Sequence, residues 1–264
     1  MRPRRLDMVF YNVAFGDATL VRTDNLTFLI DTGTAGSADS IVRSLRSAQI
    51  DRLDAVIITN WDTGKTGGLI SIVDRFVIGE IWAPSAIPDT PAYADLKTRL
   101  AEADIPLKTR NARARLNYSD LRFEILNPPA VPYSTSNDVN SMVIRLYYGR
   151  FCVFLPSDIQ NEQEPMLLGT LGTDTCEVYK LPYHGRGRPG ASLLVDRLKP
   201  SEAVISTGIN DAGLPSPTTL ERLKIADIRT WRTDVTGDIY LFANLNRTYS
   251  IGPNSTAPDY ESGK

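Results

Sequence analysis

The amino-acid sequence predicts one domain of mixed α/β class. Three observations lead there. Short apolar runs rich in β-branched residues alternate with stretches whose apolar residues recur at helical spacing. Each half of the chain opens on strands and then passes into strand–helix alternation, so residues 1–127 and 128–252 read as a pseudo-repeat within one domain, 1–252. The halves meet at a loop cluster, Pro128-Pro129 followed by Pro132 to Asn137.

In the first half, residues 8–13, 17–22 and 26–31 read as strands, the last two joined by a turn at Thr23-Asp24-Asn25. A helix over 38–48 places Ile41, Leu45 and Ala48 on one face. Leu53 to Thr59 reads as a buried strand running into a loop at Asn60. A short helix (67–75), a strand (77–82), a helix (91–103) and strands near 105–109 and 121–127 complete the half. The second half opens on a hairpin, 141–148 and 151–156, turned at Tyr148-Gly149-Arg150. A helix (161–169), a strand (176–181), a helix (190–198) and a strand (202–207) follow. Ser216-Pro217 sets an N-cap residue before a proline at the first helical position, so a helix starts there. Strands at 228–233, 237–243 and 247–251 end the fold, and residues 253–264 are expected to be a disordered tail.

Composition narrows the function classes. Net charge is −2 over 264 residues, so no overall field recruits nucleic acid or an anionic membrane. No apolar stretch approaches the roughly 18–20 residues that span a bilayer. A basic start, Met1 to Arg5, precedes a strand-like segment instead of a signal-peptide core, and a cytoplasmic location is expected. Cys152 and Cys176 fall in predicted strands and are expected as buried free thiols. Gly-x-Ser-x-Gly, P-loop and Cys-x-x-Cys motifs are absent, which removes support for serine or cysteine hydrolase chemistry.

The chemistry-bearing residues lie around the single histidine, His184, in Leu181-Pro182-Tyr183-His184-Gly185, and around the loop Asn60-Trp61-Asp62-Thr63-Gly64-Lys65-Thr66-Gly67-Gly68-Leu69. Segments along the whole chain resemble, in order, the metallo-β-lactamase domain of ComEC-type competence proteins and their free-standing soluble relatives. They are Asn12 to Ala18, Leu29 to Gly33, the Asn60 loop with the Asn137–Leu146 and Phe154–Asp158 strands, Tyr183-His184-Gly185, Gly213 to Pro217, and Thr233 to Gly237. The resemblance implies a four-layer αββα sandwich, two mixed sheets with helices outside. It also implies a divalent-metal pair held by a His-x-Asp-x-Asp-His loop, by the aspartate matching Asp158 and by a histidine of a His-His pair.

The departures fall on those ligands. Asn60 and Lys65 stand at the loop histidines, Gly64 at the second aspartate, Tyr183 at one of the paired histidines and Leu214 at the histidine before Pro-Ser-Pro; Asp62, Asp158 and His184 remain. Zinc wants about four imidazole, thiolate or carboxylate donors. Lysine is a cation, glycine offers no donor and an amide is a poor ligand. No metal pair is therefore expected; at most one divalent ion would use Asp62, Asp158 and His184, a hard one being favoured. Lys65 is expected as an internal counter-ion to Asp62 and Asp158, replacing the metals.

Each residue has a plain reading beside the functional one. Asp62 and Asp158 are ligands or bases, or relics kept for turn chemistry. His184 is a base, a ligand, or a loop histidine bonded to backbone. Asp17 and Asp31 read as fold-supporting turn residues. Arg186, Arg188 and Asn60 are candidate ligand contacts, and with Lys65 the arginines would make the mouth basic, suited to phosphate or carboxylate. The plain reading is two solvated arginines. Lys108, Arg110, Arg113 and Arg115 form a basic stretch whose solvated reading outweighs nucleic-acid contact. Gly67-Gly68 looks like a phosphate cradle but is explained as framework.

Two functions are expected from this. One is a non-hydrolytic partner, regulator or anion-binding module, working with an intact paralogue of the same fold or a small anionic ligand. The other is an enzyme with a reduced site, mono-metal or metal-free, acting on a phosphoester or small metabolite. The candidate pocket in both is Asp62, Lys65, Asp158 and His184.

Overall fold

The computed structural model describes residues 4–132, 135–187 and 193–253. The first sheet is built from β1 (Leu6–Phe10), β2 (Thr19–Arg22), β3 (Thr27–Ile30), β4 (Arg52–Ile57), β5 (Val77–Ala83) and β6 (Leu107–Thr109). The second is built from β7 (Arg115–Tyr118), β8 (Leu121–Asn127), β9 (Val143–Tyr148), β10 (Phe151–Leu155), β11 (Val178–Lys180), β12 (Glu202–Ile205) and β13 (Arg229–Arg232). Two late strands, β14 (Ile239–Ala243) and β15 (Tyr249–Gly252), return to the first sheet beside β1. The orders are β15-β14-β1-β2-β3-β4-β5-β6 and β13-β12-β11-β10-β9-β8-β7. Both sheets are mixed: β3 to β6 pair in parallel, as do β10 to β13, while the remaining pairs are antiparallel.

Helices α1 (Ala38–Ser47), α2 (Thr63–Thr66), α3 (Leu69–Val73) and α4 (Pro91–Glu102) come from the first half. Helices α5 (Glu164–Leu168), α6 (Leu193–Leu198), α7 (Pro217–Ile225) and the single turn α8 (Thr233–Thr236) come from the second. Strand periodicity sets the layers, because successive side chains point to opposite faces. In β10, Phe151, Val153 and Leu155 enter the core between the sheets, while Cys152 and Phe154 face α5 to α7. In β4, Ala55 and Ile57 face inward and Leu53, Val56 and Ile58 pack under α1, α3 and α4. Three apolar cores separate four layers, which is the αββα sandwich with helices outside.

Most expected elements are present with shortened ends. Three differences have physical causes. The expected helix over 67–75 is present as α3, and α2 is an additional turn before it, separated from α3 at Gly67-Gly68, where a Cβ on Gly68 would stand 2.2 Å from the Thr32 carbonyl oxygen. Strand β7 was not foreseen, because a four-residue edge strand carrying Arg115 has little apolar alternation to read. Cys152 and Cys176 are not free thiols: they form a disulfide, with Cα atoms 4.5 Å apart. Parallel pairing of β10 with β11 brings the segment entering β11 alongside Cys152. The sheets do not divide at residue 127, since β7 and β8 belong to the second sheet and β14 and β15 to the first. Of the expected 190–198 helix only 193–198 lies within the described residues, as does only residue 253 of the expected tail. No helix among the described residues is long and apolar enough to cross a membrane.

Candidate functional site

The carboxyl ends of the parallel strands in both sheets converge on one buried cluster of charge. Strand β3 leads to Asp31, β4 leads through Thr59 to Asn60, β10 leads to Ser157 and Asp158, and β11 ends at Lys180. Asp17 enters from the start of β2, which runs antiparallel to β3. Helix α2 supplies Lys65.

Lys65 is 1% exposed. Its Nζ is ion-paired to Asp17 and lies 3.2 Å from Asp158 Oδ1 and 3.8 Å from Asp31 Oδ2. Lys180 Nζ meets the other oxygen of Asp17 at 2.5 Å. Burial opposes the charge on Lys65, but Asp158, Asp17 and Asp31 outweigh it and hold the ammonium protonated. Burial likewise opposes ionisation of Asp17, and Lys180 with Lys65 overcomes it, holding that carboxyl well below its usual range. Asp31 differs. Burial raises it to about 7 despite Lys65 and the bonds from Thr59 N and Oγ1.

The surrounding backbone fixes these groups. The Lys65 carbonyl accepts from Thr32 N at 2.7 Å and Thr32 Oγ1 at 2.8 Å, and Asp17 N donates to Gly64 O at 3.0 Å. Ala14, Asp31, Ser157, Tyr183 and His184 all have φ between 48° and 58°, a region that costs non-glycine residues energy.

The predicted site residues divide into two groups that share Asp158. Asp17, Asp158 and His184 offer ligand atoms within 4.8 Å of one another, and so do Asp62, Asp138 and Asp158. These are the described residues that could hold a metal. Asp62 and His184 therefore fall in separate groups that meet at Asp158. Asp62 is exposed, accepts from Asn137 Nδ2 at 3.2 Å and is not an ion-pair partner of Lys65. This corrects the expected Lys65 pairing: Asp62 heads α2, its carbonyl binding the Lys65 and Thr66 amides, so its side chain leaves the cluster that Lys65 enters. Asn60 is buried; its Nδ2 donates to Asp158 Oδ2 at 3.0 Å and to Ser141 Oγ at 3.2 Å, and its Oδ1 accepts from Asp62 N. His184 is buried, with Nδ1 2.9 Å from Ser206 O and its ring 4.2 Å from that of Phe15. Nδ1 donates to that carbonyl, so in the neutral imidazole the lone pair falls on Nε2.

Arg186 stacks over Tyr183, its guanidinium carbon 4.1 Å from the ring centroid. Arg188 lies outside the described residues. Because three aspartates enclose Lys65, it does not make the mouth basic. In the basic stretch, Lys108 and Arg110 pair with Glu80 and Arg115 with Glu124, so much of its charge is compensated. From the sequence, Asp17 and Asp31 have only a turn-supporting role, although both face Lys65, and Asp138 of the second group is not singled out. Lys180 was not singled out, although a lone lysine inside an apolar strand is the available signal, since such a group is buried only when paired.

These arrangements match a known family. The metallo-β-lactamase superfamily model matches residues 11–136. The match covers a little under half of the chain, and together with the four-layer fold it makes the chain similar to this superfamily. It is 25% identical to ComE operon protein 3 of Bacillus subtilis (strain 168) over 215 residues, 81% of this chain and 28% of that protein. It is 28% identical to competence protein ComA of Neisseria gonorrhoeae over 225 residues, 84% of this chain and 30% of that one. The chain thus spans under a third of the length of these relatives. Among solved structures it resembles the metallo-β-lactamase fold protein YhfI from Bacillus subtilis, with a TM-score of 0.60 at 9% identity over 94% of this chain and all of that one. The diiron β-hydroxylase CmlA from Streptomyces venezuelae also gives 0.60, at 13% identity, covering 89% of this chain and 53% of CmlA. Both structural likenesses bear on the fold alone.

Proposed function

We propose that this domain is a metallo-β-lactamase-fold module whose metal pair has been replaced by an internal ammonium, and that it acts as a non-hydrolytic partner or regulator, or holds a small anion. One observation carries the reading: Lys65 Nζ, buried among Asp17, Asp31 and Asp158, already neutralises the carboxylates that metals would need. The remaining donors do not fit a binuclear centre. Asn60 spends its amide nitrogen on Asp158 and its oxygen on a backbone amide. A side chain on Gly64 would start 3.1 Å from Phe15 O, leaving little room for a second loop aspartate. One imidazole remains, where two-metal hydrolysis clamps both attacking and leaving oxygens with paired ions.

Partner chemistry follows from the same loss. A domain of this fold without its own metals serves an intact paralogue or a phosphate- or carboxylate-bearing ligand, with Arg186 at the mouth and Arg188 close to it in sequence. The names of the relatives point to competence, and an association with DNA handling belongs to this proposal only through that likeness.

A second reading rests on the grouping of Asp17, Asp158 and His184 within 4.8 Å, which suits one hard divalent ion in a reduced hydrolase site acting on a phosphoester. Thermal unfolding with and without EDTA, paired with hydrolysis of bis-p-nitrophenyl phosphate under added Mn²⁺, separates the two. The ammonium reading predicts an unchanged midpoint and no turnover. A midpoint that falls in EDTA, or turnover that depends on metal, establishes the reduced enzyme instead.

A further inference from the structure

A cavity of about 260 Å³ opens on the outer face of the second sheet, among α5, α6 and α7. Strand β11 stands between it and the ion cluster: Lys180 reaches Asp17 on the inner face, and Tyr179, one residue earlier, lines the cavity on the outer face. The walls are largely apolar, with Leu181, Val195 and Leu223 among them. One wall group is out of place there. Glu164 is 4% exposed; its carboxylate accepts from the Leu193 and Leu194 amides at the start of α6, yet Oε2 is buried with no hydrogen-bond partner. A buried carboxylate oxygen left unmatched costs stability that a donor from a ligand would restore. Burial lifts this carboxyl, Arg222 nearby favours its charge and Asp196 opposes it.

We propose that this cavity binds a small apolar molecule bearing a protonated amine, with the ammonium on Glu164 Oε2 and the apolar body against Leu181, Val195 and Leu223. The volume lies at the lower end for small-molecule sites, which limits the occupant to a short chain or single ring. Arg186 and Arg222 on the lining offset Glu164 and Asp196 in charge, so the unmatched Glu164 Oε2, not the overall charge, is what selects an amine. A neutral alcohol fills the same space but leaves the carboxylate charge unmatched, and charge-assisted bonds are roughly twice as strong as neutral ones. Arg186 lines the cavity and also stacks on Tyr183, next to His184, so occupancy is sensed at the loop carrying the only histidine. This site is independent of whether Lys65 or a metal neutralises the inner cluster.

The test titrates isoamylamine, isoamyl alcohol and isovalerate, one apolar body with three head groups, while following the His184 imidazole resonance and backbone amides by NMR. The amine is expected to bind about tenfold more tightly than either analogue. Glu164→Gln should erase that preference. Ala226→Trp, at an exposed position on the cavity lining, should abolish binding of all three while keeping the parent spectrum elsewhere. Equal affinity for the three head groups, an amine preference that survives Glu164→Gln, binding that survives Ala226→Trp, or no amine binding to the parent would each overturn the proposal.

Discussion

Asp158 stands between two clusters of acid that are neutralised by different means. On its inner side, Asp17 and Asp31 share Lys65, and Asp17 also holds Lys180. On its outer side, Asp138 accepts from the amide of Gln160 and Asp62 from that of Asn137. The inner acids are fully buried, where Coulomb attraction is strong and an unpaired charge is very costly. The outer ones are exposed or half-buried, where water screens them and neutral amides suffice. The contrast teaches where a buried cation is needed: only in the dry half. Repulsion remains legible outside, where burial and then Asp158 and Asp62 raise the Asp138 carboxyl.

The comparison breaks first at Lys65. Lys65→Ala leaves three buried carboxyl groups without their shared ammonium and should lower stability by roughly 3–5 kcal/mol in urea unfolding; a variant as stable as the parent would mean the inner acids need no counter-ion. Asp17→Asn comes next. It strips both lysines of a partner and should cost about 3 kcal/mol by the same measurement, with Lys180 the group left unpaired.

The pH dependence sharpens the contrast. Asp31 titrates at about 7 in the fold, above its unfolded value near 4, so the folded state binds the extra proton. Its contribution is complete below about pH 4 and is lost as pH rises through about 7. The difference in stability between the parent and Asp31→Asn should therefore shift by on the order of 4 kcal/mol from about pH 4 to about pH 8. Asp17, depressed by its lysines, acts with the opposite sign, its contribution being lost as pH falls below its unfolded value. Substitution of the outer acid has the smallest effect: Asp62→Asn, exposed, should stay within about 0.5 kcal/mol of the parent. A loss as large as that of Lys65→Ala would show that the outer acids also depend on a buried compensator.

The architecture was legible because strand alternation and framework motifs are local signals. Thr32-Gly33 and Gly67-Gly68 keep their spacing because backbone meets backbone there, which sequence preserves as glycine. The identities of Asn60, Gly64 and Lys65 in their loop are also local signals. What was not legible is direction. Sequence places Asp62 three residues from Lys65 but does not say that the α2 turn sends one outward and the other into the cluster. Nor does it show that Asp17 and Lys180, 163 positions apart, meet across two sheets. The disulfide escaped for the same reason: Cys152 and Cys176 are separated by 24 residues and are brought together by parallel strand pairing alone.

The most direct test of the ammonium replacement is elemental analysis of the protein purified without chelators, with metal counted per chain. The account predicts a trace amount that does not rise after incubation with Zn²⁺ or Mn²⁺ and desalting. Near-stoichiometric metal retained through desalting, and lost on Asp158→Asn, would contradict it.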